Sequence, residues 1–377
     1  MTKSKIYKIS GVVILLLLIT GAIWYSLLPN RHKAIVKTTL LHKLHLVDSN
    51  WEVGNAAQEY KMISPTFLID GVYKSMEGPK SSNYLQLSQD STLLFLTAFK
   101  VKALDAKTKK LISNDFICHT NVDFNDVKYY SSLGLTNRIG KQYPRMTSLS
   151  HGLEEFSFPN GYGVPMKGND LLYVTTQALN HNIYDANIKV KHEVGIRYTQ
   201  NKNLKPLMSR TAFVMLPYDK KDPFKESADQ GADMCVPVET KNHSYEVGGN
   251  MMSGHWVVPR GKKTYRSSID HHLQISDSLR LHAAAIHVHP FATMIGIFDR
   301  TDNKWIFKSN ILNHKGKIGL SAIEPFSSED GLWLYADHHY EMVLNCDNTT
   351  SKNQDMMGSM FLFFYDQELD KILTATN

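Results

Sequence analysis

Residues 281–299 read LHAAAIHVHPFATMIGIFD. A β-branched and small-residue run, a His-Pro-Phe break and a second apolar run predict two adjacent strands joined by a tight turn. On a strand, side chains alternate between faces, so His287 and His289 project to one side. His282 falls on the opposite parity unless a bulge intervenes. Two imidazoles on one face can supply neighbouring ligands to a transition metal. An H-x-H pair on a surface strand, in a chain with 17 His, is the plain alternative.

Outward from this segment the same texture recurs. Short apolar runs such as Phe67-Leu68-Ile69, Leu93-Leu94-Phe95-Leu96, Phe116-Ile117-Cys118, Ala212-Phe213-Val214-Met215 and Met360–Phe364 are bounded by Gly, Pro, Asn, Asp or Ser. Their spacing, roughly ten residues, predicts an all-β fold of sandwich or jelly-roll type. No long amphipathic helix and no close internal repeat stands out. NKNLKPLMS at 201–209 separates two strand-rich stretches of similar length. The expected organisation is a cytoplasmic N-terminus (1–10), a transmembrane anchor (11–28), a partly helical stalk (29–50) and two tandem jelly-roll β-sandwich domains, 51–205 and 206–377.

The anchor reads GVVILLLLITGAIWYSLL and carries no charge from Gly11 to Leu28. At about 1.5 Å per residue it nearly matches the ~30 Å hydrocarbon core of a bilayer. Lys3, Lys5 and Lys8 precede it, and Trp24 and Tyr25 stand where interfacial aromatics stand. A cleaved signal peptide is the rival reading, but Tyr25-Ser26-Leu27-Leu28-Pro29 is a poor small-x-small cleavage site. The expected location is single-pass in a membrane with the bulk of the chain outside the cytoplasm, periplasmic in a bacterium. Arg31, Lys33 and Lys37 after the span weaken the assignment of its orientation.

Hydrophobic residues make up 42% and charged residues 21%, the balance of an ordinary globular protein. A formal charge of +6, spread among acids, does not point to nucleic acid. Three cysteines, Cys118, Cys235 and Cys346, allow at most one disulfide, so no disulfide framework holds the fold. G-x-S-x-G, H-E-x-x-H and C-x-x-C are all absent. Glu154-Glu155 lies on a turn-like segment after His151-Gly152 and reads as solvated.

A second element is Asp355-Met356-Met357-Gly358-Ser359-Met360, leading into FLFFY. A thioether is soft and suits reduced copper, while methionine in an apolar strand also serves as packing. Taken together and in order, H287-V-H289, YEMVLNCDN ending at Cys346 and Asn348, and D355-M-M357-GSMFLFFY resemble the C-terminal half of the copper type II, ascorbate-dependent monooxygenases, the peptidylglycine α-hydroxylating and dopamine β-monooxygenase group. The resemblance covers some 90–100 residues. It implies copper held by His287, His289 and Met357, an ascorbate-like reductant and C–H hydroxylation with O₂. A closer likeness, carried by FICHTNVDF, FPNGYGVPM, TQALNHN, GHWVVPRG and HAAAIHVHPFA, is to exported bacterial proteins of this two-domain layout, and it speaks to fold and location more than to activity.

The family's first domain holds a second copper through paired histidines and a later third His. Here Cys118 replaces one of the pair beside His119, and the later strand offers His181, with Gln177 nearby. A first-half metal site of Cys118, His119 and His181 is therefore a weaker candidate, and His255 and His338 are further ones. Without that site the second electron of a coupled monooxygenase has no reservoir. The alternative function is a non-catalytic module that binds a metal, a glycan or a protein partner. A glycan amidase on paired jelly rolls is a third option, and it needs acidic residues converging between the halves.

Overall fold

The computed structural model describes residues 3–56, 58–217, 244–247 and 250–375. Within them the chain is predominantly β, in sheets that stack as a sandwich, behind one apolar N-terminal helix. That helix, Lys3–Leu27, ends just before Pro29. None of the 18 residues Ser10–Leu27 is buried, and Leu17 and Leu18 are 67% and 65% exposed. A core helix of a soluble protein would bury such a surface. An unpartnered apolar helix of this length suits a membrane span or a signal segment.

Within the stretch expected to form a partly helical stalk, residues Asn30–Lys43 form a helix docked on the β body. Arg31, Ala34 and Thr38 are buried along one side. Lys37 pairs with Asp70 and donates to Tyr73 Oη at 2.5 Å, and His42 Nε2 lies 3.0 Å from the Thr66 carbonyl. The charged face of this segment has partners on the β body, which is why it does not stand free.

The main sheet runs through nine strands in the order Glu52–Ala56, Glu59–Ile63, Ile188–Thr199, Leu93–Asp105, Tyr162–Lys167, Lys205–Phe213, Gln354–Tyr365, Leu279–Val288 and Phe326–Leu334. A four-stranded sheet, Lys80–Leu85, Leu172–Ala178, Ile117–Phe124 and Arg145–Leu149, faces its first half. A five-stranded sheet, Gly261–Ser268, Tyr340–Asn348, Ala292–Asp299, Lys304–Asn313 and Leu320–Ile323, faces its second half. The predicted boundary at 205/206 falls inside this arrangement. Lys205 and Pro206 pair in parallel with Tyr162 and Gly163, so the main sheet continues across the junction and two discrete units are not delineated. On its other side Gly163 packs tightly on Leu93–Asp105, where a Cβ would sit 2.9 Å from the Leu96 carbonyl oxygen.

Burial patterns follow position. Lys304–Asn313 alternates Phe307, Ser309 and Ile311 inward with Lys308 and Asn310 outward, the mark of a strand covered on one face. Leu279–Val288 and Gln354–Tyr365 are buried on both. One face meets the five-stranded sheet, with Leu344 and Ile295 packed close to Gly358. The other face meets Arg145–Leu149 of the first half. This double cover explains the unbroken run HAAAIHV.

Across the junction Phe156, Phe158 and Phe363 form a ring cluster with centroids 4.6–5.7 Å apart. Such pairs add about 0.5–1.5 kcal/mol each beyond their area burial. Arg138 forks onto buried Asp366 and also reaches Glu368. Asp366 in turn accepts from Leu369 N at 3.1 Å, capping the terminal helix Gln367–Ala375. In the first-half core, His192 Nδ1 accepts from Thr176 Oγ1 (2.6 Å) and Nε2–H donates to the Phe116 carbonyl (3.2 Å).

Two outcomes follow from these contacts. Arg138→Ala leaves a buried carboxylate unpaired and should cost about 3 kcal/mol in denaturant unfolding, whereas Lys304→Ala, which breaks an exposed pair, should leave the unfolding midpoint almost unchanged. Burial pushes the His192 imidazole down to about 4 from its usual 6.5, its bond to Phe116 only partly opposing this. Between those pH values the unfolded chain binds the proton that the folded chain refuses, so stability is full above 6.5 and falls toward 4. His192→Asn should lower the melting temperature at neutral pH yet shrink its fall across that acid window.

Candidate metal centre

The H-x-H segment ends a strand and begins a strained turn. Val288 closes Leu279–Val288, and His289-Pro290-Phe291-Ala292 reverses the chain into Ala292–Asp299. Phe291 sits at φ +76°, a left-handed position that a bulky residue rarely takes. Its N–H donates to Asn313 Oδ1 and Asn313 Nδ2 donates to the Ala292 carbonyl, both at 2.7 Å. The Phe291 carbonyl accepts from Asp347 N at 2.8 Å. These bonds hold the strained corner and fix the backbone beside His289.

Four imidazoles lie in a row across the two halves. The rings of His287 and His289 stand perpendicular with centroids 5.7 Å apart. His287 meets His119 of the first half at 5.9 Å, and His289 meets His255 at 6.2 Å. All four side chains are buried. His119 comes from Ile117–Phe124, and His255 opens His255–Val258, directly opposite Met357 in the register. Met357 packs on Phe213 and Met215 and lines one small cavity with His119 and His287. A second cavity is lined by His181, Cys118, His287 and His289.

His287 Nδ1 and His289 Nε2 find no hydrogen-bond partner among the described residues. His289 Nδ1 lies 3.0 Å from Asp355 Oδ2, which leaves its Nε2 lone pair available. Burial would raise the Asp355 carboxyl, but His289 outweighs it and holds the group below the usual range. Burial drives His287 and His119 far below the usual imidazole range, with neighbouring His289 adding to both. His181 is pushed down to about 4, by burial and then His289. Neutral imidazoles are what metal ligation requires. Among the described residues, however, no three of these side chains bring His, Cys or carboxylate donor atoms mutually within 4.8 Å.

The other predicted residues are placed as follows. Cys118 is buried and its Sγ accepts from Met76 N at 3.5 Å. Cys346 is buried and free, its thiol pushed up to about 12 by burial, and Cys235 lies outside the described residues. Gln177 donates to the Gly78 carbonyl at 2.8 Å. His282 sits at a register shift between Leu281 and Ala283, where its ring stacks on Tyr162 at 4.1 Å, away from the row. His338 stands apart as well, with Nδ1 2.7 Å from buried Asp299.

A tighter group went unrecognised in the sequence. Asp115 Oδ1, His151 Nε2 and His314 Nε2 converge, with the two nitrogens 3.0 Å apart and the oxygen 3.1 and 3.6 Å from them. Glu154 holds His151 Nδ1 at 2.6 Å, so Glu154 is engaged and not merely solvated. Burial pulls His151 down, but Asp115 and Glu154 outweigh it and push it up to about 9. The local signal was H151-G-L-E154, a turn in which His and Glu can meet. His314, from the far half, had none.

No protein-family model matches this chain, and no curated protein matches it in sequence. Among solved structures it is loosely similar to N-glycanase F (PNGase F), at 8% identity over 80% of this chain and 95% of that one, with a TM-score of 0.32. PNGase F described as a glycosylasparaginase from Flavobacterium meningosepticum gives 8% identity, 82% and 96% coverage and a TM-score of 0.35. The STIV MCP gives 10%, 84% and 99%, and 0.32. Likeness at this level carries no argument about family or activity.

The turn makes one test independent of any metal. Phe291→Gly relieves the left-handed strain but adds backbone freedom and removes a buried ring, whereas Asn313→Ala removes both clamps. Asn313→Ala should therefore cost about 1–3 kcal/mol in unfolding free energy, as buried hydrogen bonds left unmade do.

Proposed function

We propose that this chain is a membrane-anchored, extracytoplasmic metal-binding protein, built on two tandem jelly-roll halves, that holds copper at the junction without catalysing a reaction. The observation that carries the reading is the buried row His119, His287, His289 and His255, with His287 Nδ1 and His289 Nε2 unpartnered among the described residues and the Met357 thioether on the cavity of His287. Two imidazoles and a thioether are a donor set suited to copper, the reduced ion above all. His287, His289 and Met357 would hold it, and Asp355 would orient His289 from outside. Bound copper would supply a one-electron couple. The apolar helix Ser10–Leu27 supports the anchor.

Contact between His119 and His287 favours a non-catalytic site over a coupled monooxygenase. The latter needs a separate metal in the first half, and His119, one of the three candidate ligands there, faces His287 of the second half. Cys118 and His181 line the same cavity as His287 and His289, not a distant one.

The test is copper titration of the full chain in detergent against a competing chelator. Wild type should bind one copper in this site. His287→Ala should lose it, and Met357→Leu, which keeps the volume but removes the thioether, should weaken it. Unchanged affinity in His287→Ala would sink the proposal. Ascorbate-dependent oxygen uptake by the copper-loaded protein would instead favour the monooxygenase reading.

A further inference from the structure

We infer that Asp115, His151 and His314 form a second metal site, one for a divalent ion of the zinc type, which ties the two halves together. It does not depend on the copper reading, because none of its donors belongs to the row around His287.

Zinc binds imidazole nitrogen at about 2.0–2.1 Å and carboxylate oxygen at about 2.0–2.2 Å, which in tetrahedral geometry sets donors about 3.3 Å apart. The three donor separations here, 3.0, 3.1 and 3.6 Å, bracket that value. Both imidazoles present Nε2 to the same point. Glu154 takes the Nδ1 proton of His151 at 2.6 Å, the carboxylate–histidine arrangement that orients a ligating imidazole. Asp115 is divided in the same sense. Its Oδ2 accepts from Ser113 Oγ at 2.8 Å and from Lys317, while its Oδ1 faces the two nitrogens, 3.1 Å from His151 Nε2 and 3.6 Å from His314 Nε2.

The backbone brings these groups together on purpose-built contacts. Gly152, at φ +95°, turns the chain so that its carbonyl accepts from Ile323 N at 2.8 Å, and a Cβ there would meet Leu320 at 3.1 Å. Asn182 brackets Ile318 with two bonds, from Nδ2 to its carbonyl (2.8 Å) and from its N–H to Oδ1 (3.0 Å). Asp115 and His151 therefore come from one half and His314 from the other. The donors are only part-buried, at 17–25% side-chain exposure, so an ion can enter and a fourth position stays open to water or to the cavity that Asp115 and His151 share with His181 and His289.

The full chain, stripped with chelator and titrated with zinc alone, should bind one equivalent more than His314→Ala or Asp115→Asn. His287→Ala should keep that equivalent. Glu154→Gln, which keeps every ligand, should weaken it by about 10–100-fold. Zinc should raise the melting temperature of wild type by more than that of His314→Ala, because a ligand stabilises only through the folded-state sites it fills. Cobalt(II) in place of zinc should give visible absorption bands that both ligand variants lose. Melting of each metal-free variant separates lost binding from lost folding. The inference is overturned if wild type binds no zinc, or if folded His314→Ala and Asp115→Asn bind it as tightly as wild type.

Discussion

The parallel pairing of Lys205 and Pro206 with Tyr162 and Gly163 is the constraint on which the rest depends. It is short, but it makes the main sheet continuous, and a continuous sheet cannot hinge as two beads on a linker can. Once it forms, the remaining junction contacts are intramolecular and cheap in entropy. The Phe156–Phe158–Phe363 cluster, the Arg138–Asp366 fork and the Gly152–Ile323 bond then close along it. Gly163, one of the paired residues, lies so close to Leu93–Asp105 on its other side that any side chain would collide there.

The same junction creates the chemistry. Strands covered on one face would present His287 to water, where an imidazole is content without a ligand. Here Leu279–Val288 is covered on both faces, and the imidazoles of His119, His255, His287 and His289 are buried together. Burial keeps His119 and His287 neutral, because charging them in a site already lined by imidazoles and near Arg145 is costly. Arg145 itself is held by a fork onto Asp123.

The two donor groups differ as their surroundings differ. The row around His287 is buried, built of imidazole nitrogen and a thioether, and suits a soft ion. The Asp115–His151–His314 group is wetter and carries carboxylates on two sides, which suits a harder divalent ion. Both sit on the junction, and both border the cavity that holds His181.

Sequence alone determined much of this. Strand-length apolar runs between turn residues set the β class, the uncharged span from Gly11 marked the membrane-suited helix, and H-x-H parity put His287 and His289 side by side. These are local properties, written in spacing of two or of twenty residues. Sequence missed what depends on pairing between distant segments. It split the chain where the sheet in fact runs on, and gave no hint that the helix Asn30–Lys43 would dock on the β body, that His119 would face His287 or that His314 would meet His151. Only the tertiary structure decided those. Residues more than a hundred positions apart meet because sheets stack and strands register, and no local pattern encodes which distant face will cover a given side chain.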